Sequence, residues 1–355
     1  MSAARLQDQC DLTHSIRCAL AHPLTALRGN LFAYEVHAMP DSGLNRWIRP
    51  SVILVATDLS DLARLMPFAI QEAHQSGARL ILLHVLAANN GMAVDATGIP
   101  YYDPAGAIGL AAKTLEPWRT MARGQNITCD SLIREGSAAQ QIVASARQFN
   151  VDRILLGTRS RSKISKLLLG SVAEQVLRSV NLPVMTVGPE AHLAVGSNDQ
   201  QKVVLHATTL RETSCPSAAL ACKIAASQNA RLVLLHVLPP MDEMEREGLP
   251  TGLDSTAMHE LRILADEIGA TESCCAHVDP CVVHGNPSIE ILAASVEQHA
   301  TMIVLGATHR SAIQNMTRDR IVYQVLAHAR CPVLTLRDPC ELGATDNVEH
   351  MASQS

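Results

Sequence analysis

The sequence predicts an α/β protein of two tandem domains, each built on a five-stranded parallel sheet with helices on both faces. At 355 residues the chain is long enough for two domains that each bury a core. Hydrophobic residues make up 47% of it but aromatic residues only 3%. Its cores must therefore consist of Ala, Val, Leu and Ile, as in sheets covered by helices.

The third observation is an internal repeat at an offset of about 150 residues. Three pairs of segments show it: SVILVATDLSD (51–61) with KVVLHATTLRE (202–212), ARLILLHVLA (78–87) with ARLVLLHVLP (230–239), and NLPVMTV (181–187) with RCPVLTL (330–336). Gly136 and Gly157 are 21 residues apart, as are Gly285 and Gly306. This regular spacing indicates a duplicated domain.

Short runs of Val, Ile and Leu alternate with longer helical patterns in each copy, which is typical of β-α-β units. In copy one the strands are predicted at 52–56, 79–86, 127–133, 153–157 and 183–187. The helices are predicted at 60–76, 105–123, 138–149 and 171–180. The Gly- and Pro-containing segment 88–104 is predicted to be a long loop.

Three helix starts carry capping signals. Ser137 with Gln140, and Ser171 with Glu174, match the S-x-x-E/Q capping box. In copy two, Asn286 followed by proline offers a capping side chain and a residue suited to the first turn.

The domain limits follow from the repeat. We expect an N-terminal extension (1–48), domain 1 (49–188), a linker (189–200), domain 2 (201–338) and a C-terminal tail (339–355). Residues 1–48 lack periodicity and are predicted to be flexible; an adaptor role, or translation starting at Met39, are alternatives.

Charge and composition exclude several classes of protein. A net charge of −5 argues against binding to nucleic acid or to an anionic membrane surface. No apolar run is long enough to cross a bilayer, and the first residues are too polar for a signal peptide. Ten scattered cysteines in a chain of this size suggest reduced thiols, so we expect a cytoplasmic protein.

Two loops of copy one meet at the carboxyl edge of the predicted sheet, where such folds bind ligands. One follows the first strand at 56–60, and the other follows the fourth strand at 157–160 and continues to Gly170 and Ser171. Glycines would let backbone amides approach phosphate oxygens, and a helix N-terminus favours negative charge. With Asp58 as an acceptor for a ribose or adenine edge, these residues describe a nucleotide-sized site.

These motifs resemble the universal stress protein family, whose nucleotide-binding signature is G-x-x-G-x9-G-[ST]. Copy one has Gly157, Ser160, Gly170 and Ser171 at those positions, with serine replacing the second glycine. The resemblance covers about residues 50–188 and 201–337. It implies two Rossmann-like domains of the adenine nucleotide alpha hydrolase-like type, which form a pseudo-dimer through their last strands.

The resemblance also implies a function: an ATP-binding or nucleotide-sensing stress-response regulator, with Mg²⁺ accompanying the nucleotide and at most slow hydrolysis. Asp58 and the backbone near Val85 would orient the nucleoside, and Arg159 and Lys163 would neutralise phosphate charge. The full set of expected ligand contacts is Ala56, Thr57, Asp58, Val85, Gly157, Arg159, Ser160, Lys163, Gly170, Ser171 and Val172. A homodimer and an unknown protein partner stay open. A non-nucleotide interaction scaffold and a weak ATP hydrolase are the alternative functions.

Copy two departs from the signature. It has Gly306, His309 and Asp319-Arg320 at the matching spacing, and Thr209 in place of Asp58. An aspartate at the start of the last helix would cap that helix but repel a phosphate. Copy two is therefore predicted to be a structural partner.

Two further candidates are weighed against structural roles. CCAHVDPCVVHG (274–285) contains zinc-ligand residue types, but its second half is predicted to be a strand, whose side chains alternate between faces. His84 and His236 recur in both copies, which favours a hydrogen-bonded structural role over catalysis.

Overall fold

A ten-stranded sheet joins the two copies in this computed structural model. The structure describes residues 41–87, 92–94, 97–98, 100–158, 169–193, 201–210, 215–241, 252–271, 277–307 and 316–337. Copy one and the segment before it contain α1 (Asp41–Ile48), β1 (Val52–Thr57), α2 (Leu62–Ser76), β2 (Arg79–Leu86), β3 (Met92–Val94), β4 (Pro100–Tyr102), α3 (Pro104–Gly124), β5 (Cys129–Glu135), α4 (Ala138–Gln148), β6 (Arg153–Gly157), α5 (Ser171–Ser179) and β7 (Val184–Val187). Copy two contains β8 (Val203–Ala207), α6 (Cys215–Ser227), β9 (Arg231–Leu238), α7 (Leu253–Thr271), β10 (Val278–His284), α8 (Pro287–Glu297), β11 (Met302–Ala307), α9 (Met316–His328) and β12 (Val333–Arg337).

The strand order is β10-β9-β8-β11-β12-β7-β6-β1-β2-β5. Every neighbouring pair is parallel except β12 and β7, which are antiparallel with Leu334 opposite Met185. Each copy thus contributes five parallel strands, and the last strands of the copies pair with each other, as the sequence predicts. The predicted loop 88–104 also holds a short antiparallel hairpin of β3 and β4.

Of the three capping predictions, one is wrong, one is correct only for the position of the cap, and one is confirmed. Gly170, with extended backbone (φ −62°, ψ 140°), is the N-cap of α5, so Ser171 is already helical and cannot be the cap. Ser137 is an N-cap, but its side chain makes no capping hydrogen bond. Asn286 does cap α8, since its side chain accepts a hydrogen bond from Ser288 N at 3.1 Å.

The end of the predicted flexible extension is a packed helix. α1 contacts α6 of copy two, and its Trp47 is buried. On the copy-one side, Arg46 Nε lies 2.7 Å from Asp152 Oδ1. The other carboxylate oxygen of Asp152 accepts hydrogen bonds from Ser51 N and Val52 N, at 2.8 and 3.0 Å. The flexible limit therefore cannot lie at 48, because 41–48 are held by both copies.

A buried ion pair links β6 to α2. Arg153, only 1% exposed, contacts the carboxylate of Glu72, and its Nη2 donates to Trp47 O at 2.7 Å.

Among the described helices, none combines the length and apolar character needed to cross a bilayer.

Replacing Arg153 by methionine would leave the buried Glu72 carboxylate without its positively charged partner. We expect Arg153→Met to lower the free energy of unfolding by about 3 to 5 kcal/mol, because an unpaired buried charge is strongly destabilising. The double variant Arg153→Met/Glu72→Leu removes both charges and should recover most of the loss. Urea unfolding of the three proteins tests this; a single variant as stable as the wild type would contradict it.

His206 makes the stability of copy two dependent on pH. His206 is fully buried in β8, and burial lowers its pKa to about 4. A hydrogen bond of 2.9 Å from its Nδ1 to Val304 O raises the pKa but is the smaller effect. In the unfolded chain this histidine has its ordinary pKa of 6.5 and binds a proton below that pH, whereas folded His206 does not. The free energy of unfolding therefore falls as the pH drops from 6.5 towards 4.

Copy one has Val55 where copy two has His206, so His206→Val is a matched substitution. The wild type should lose about 2 kcal/mol more than this variant between about pH 7 and about pH 5. The measurement is the free energy of unfolding at both pH values, and equal losses in the two proteins would show that His206 is not responsible.

Candidate functional site

The loop between β1 and α2 is held by the Thr57 hydroxyl. This group accepts a hydrogen bond from Leu59 N at 2.9 Å and donates one to Asp61 Oδ1 at 2.5 Å. Leu59 has φ of 73°, a left-handed conformation that is unusual for a branched side chain. Asp58 is exposed, and its Oδ1 accepts from the amide and hydroxyl of Ser60 at 2.8 and 2.6 Å. The loop is thus ordered by its own side chains.

The end of β6 and the start of α5 are tied together. Gly170 N donates to Thr158 O at 2.8 Å, which brings the first turn of α5 against Gly157 at the end of β6. Free amides at this helix start, together with the helix dipole, favour an anion. Thr158 is fully buried, and its Oγ1 has no hydrogen-bond partner among the described residues.

The glycine at 157 has a packing reason of its own. A Cβ added there would lie 2.6 Å from Asp61 Oδ2 and 2.9 Å from Arg64 Nη2. A larger residue at 157 would require the side chains of Asp61 and Arg64 to move. The presence of glycine therefore does not by itself indicate a phosphate.

The end of β2 forms the third wall. His84 is buried, and its Nδ1 lies 2.9 Å from Thr57 O. A carbonyl oxygen only accepts, so Nδ1 carries the proton and His84 buttresses the β1–α2 loop. His236 repeats this bond with Thr208 O at 2.9 Å, and burial lowers its pKa. The structural role expected for both histidines agrees with these contacts.

These three elements and α4 enclose a cleft at the carboxyl edge of the copy-one half-sheet. Eight of the predicted ligand residues line it: Ala56, Thr57, Asp58, Val85, Gly157, Gly170, Ser171 and Val172. Arg159, Ser160 and Lys163 lie outside the described residues. The structure therefore brings together eight of the eleven predicted residues.

The cleft has further lining residues that the sequence analysis did not assign to it: Asp61, Leu83, His84, Ala138, Ile142, Leu156, Thr158 and Ala173. Strand alternation could have found Leu83 and Leu156, which lie opposite Ala56 on the two strands that flank β1. Asp61 directly follows the predicted loop 56–60, but its contact with Gly157 joins residues far apart in sequence and has no sequence signal.

Two carboxylates, those of Asp58 and Asp61, line the cleft. Burial raises the pKa of Asp61, and nearby Asp58 adds to the increase, whereas the Thr57 hydrogen bond and Arg64 oppose it. Arg64 Nη2 is 3.9 Å from Asp61 Oδ2.

Copy two keeps part of this architecture. Thr208 Oγ1 accepts from Leu210 N at 3.2 Å, and Leu210 has φ of 54°, matching Thr57 and Leu59. The phosphate-side elements differ: α9 begins at Met316, so Asp319 lies inside its first turn. The prediction of Asp319 as the cap of that helix is therefore wrong, because the residues before it continue the helix where copy one has an extended glycine.

Only part of the zinc candidate, residues 274–285, lies within the described chain. Cys274 and Cys275 lie outside the described residues, and β10 spans the second half of the motif, as predicted. His284 contacts the Asp254 carboxylate, and its Nδ1 donates to Pro239 O at 3.1 Å. Within the described part of the chain, no group of three or more His, Cys, Asp or Glu side chains is arranged to hold a metal ion.

Comparison with known proteins agrees with this architecture. The family model described as "Universal stress protein family" matches residues 51–188 and 194–337. Universal stress protein YxiE of Bacillus subtilis is 28% identical over 145 residues, which cover 38% of this chain and 97% of YxiE. Universal stress protein MJ0531 of Methanocaldococcus jannaschii is 32% identical over 75 residues, which cover 21% of this chain; the chain spans only 44% of that relative's length.

The fold likeness extends over both copies. The crystal structure of a universal stress protein from Archaeoglobus fulgidus covers 82% of this chain and 98% of its own, with a TM-score of 0.62 and 22% identity. Because the family model matches two successive segments that together make up most of the sequence, the chain belongs to the universal stress protein family, with two family domains in tandem.

Proposed function

We propose that copy one binds an adenine nucleotide, with ATP as the expected ligand, and that the protein acts in the cytoplasm as a nucleotide-sensing stress-response regulator. The observation that carries the proposal is the cleft itself. Residues from β1, β2, β6 and the start of α5, far apart in sequence, converge there. This is the ligand position of open parallel sheets.

The two ends of the cleft suit different parts of a nucleotide. The exposed Asp58 carboxylate offers acceptors for ribose or adenine, beside the backbone of Val85. The start of α5, with Gly170 and Ser171, offers amides and a hydroxyl for phosphate oxygens. The buried Thr158 hydroxyl also gains a partner if a ligand atom or a bridging water reaches it.

The remaining predicted contacts complete the proposal. Arg159 and Lys163 would neutralise phosphate charge, Ser160 would form part of the loop, and Mg²⁺ would accompany the nucleotide. Copy two, which lacks Asp58 and Gly170 at the matching positions, acts as the structural partner through β12.

The test exchanges copy-one residues for those of copy two. Gly170→Asp should weaken binding of a fluorescent ATP analogue at least about tenfold, because a carboxylate then faces the phosphates. The backbone of Gly170 (φ −62°, ψ 140°) suits aspartate, a good N-cap, so the fold should persist. Asp58→Thr should weaken the binding of adenosine and of ATP by similar factors.

Asp130→Asn is the control, since it removes a negative charge from an exposed position on β5 outside the cleft lining. Equal affinity of the wild type and Gly170→Asp would remove the phosphate site. If the full-length wild type shows no saturable binding with Mg²⁺ present, the proposal is wrong and the interaction scaffold is favoured; steady ATP turnover would favour the hydrolase.

A further inference from the structure

A buried carboxylate lies directly beneath the phosphate side of the cleft. Asp61 is 9% exposed, and its Oδ2 occupies the space next to Gly157 that a Cβ would enter. Its Oδ1 is held by the Thr57 hydroxyl at 2.5 Å. The carboxylate is therefore fixed in place, since both of its oxygens lie against other groups.

The groups around Asp61 leave its charge only partly balanced. On α2, Arg64 Nη2 is 3.9 Å away, and that side chain is 25% exposed. On the β1–α2 loop, Asp58 adds a second carboxylate, and on β2, His84 Nδ1 donates to Thr57 O rather than to Asp61. Among these described groups, the guanidinium of Arg64 stabilises the Asp61 charge and the carboxylate of Asp58 opposes it.

We propose that Asp61 is a specificity-determining residue that limits the negative charge of the ligand accepted by the cleft. The inference rests on the nucleotide site proposed for copy one. A carboxylate beneath Gly157 repels phosphate oxygens bound at the start of α5, and the repulsion grows with each added phosphate charge. An uncharged nucleoside does not experience it.

Asp61→Asn isolates this effect from packing. The amide oxygen can still accept the Thr57 hydrogen bond, so the loop that carries Asp58 keeps its support. A side chain of the same size also leaves the contact with Gly157 unchanged. The substitution removes the negative charge and, with it, the ion pair to Arg64 Nη2 at 3.9 Å.

The experiment measures the dissociation constants of adenosine, AMP and ATP for the full chain by calorimetry. Because burial raises the pKa of Asp61, the buffer is mildly alkaline, which favours the ionised carboxyl, and its salt concentration is fixed. The Asp61→Asn variant should bind ATP at least about fivefold more tightly than the wild type does. Its affinity for AMP should increase by a smaller factor, and its affinity for adenosine should not change. Asp130→Asn, with its lost charge on exposed β5, should leave all three constants unchanged.

The outcomes separate the two proposals. If Asp61→Asn changes the three affinities by the same factor, or weakens ATP, Asp61 acts only through loop structure and the inference is overturned while the site stands. If the wild type binds none of the three ligands, the nucleotide site itself is refuted, and the inference with it.

Discussion

The antiparallel pairing of β7 with β12 is the contact on which both halves of the molecule depend. Without it, each half-sheet would end in a short apolar edge strand whose backbone groups face water. In the pair, Met185 and Leu334 lie opposite each other and are fully buried. Helix α1 adds to this join, because it contacts α6 of copy two and is hydrogen-bonded to Arg153 of copy one. Copy two thus has a structural reason to exist that requires no ligand.

The strand order also determines where a cleft can form. β1 lies between β2 and β6, and the chain leaves β1 towards β2 but leaves β6 towards β7 on the other side. The loops after β1 and β6 therefore diverge and open a crevice between them. The same order recurs in copy two, and with it the left-handed Leu210 and the Thr208 hydrogen bond. Topology sets the position of the cleft, and the loop residues set its chemistry.

The parts of this fold that local pattern controls could be predicted from the sequence. The observed β6 (Arg153–Gly157) and β2 (Arg79–Leu86) have the predicted limits, because their apolar runs are short and bounded by turn residues. Helix α1 and the β3–β4 hairpin were not predicted, since both are too short to show a period. The position of Asp61 was also missed: it depends on how closely α2 approaches β6, a tertiary contact that no local pattern encodes.

The two glycines of the signature in copy one, Gly157 and Gly170, have different physical explanations. At Gly157 the space of a Cβ is occupied by the side chains of Asp61 and Arg64, and at Gly306 in copy two it is occupied by Ser217, whose Oγ lies 2.8 Å from where a Cβ would be. A domain that lost its ligand would keep this first glycine for packing alone, so its presence in both copies says little about binding. Gly170 has a backbone that any residue can adopt, and copy two has aspartate at the matching position. The second part of the signature is therefore the part that distinguishes the copies, because the backbone there does not require glycine and the charge of the residue can differ.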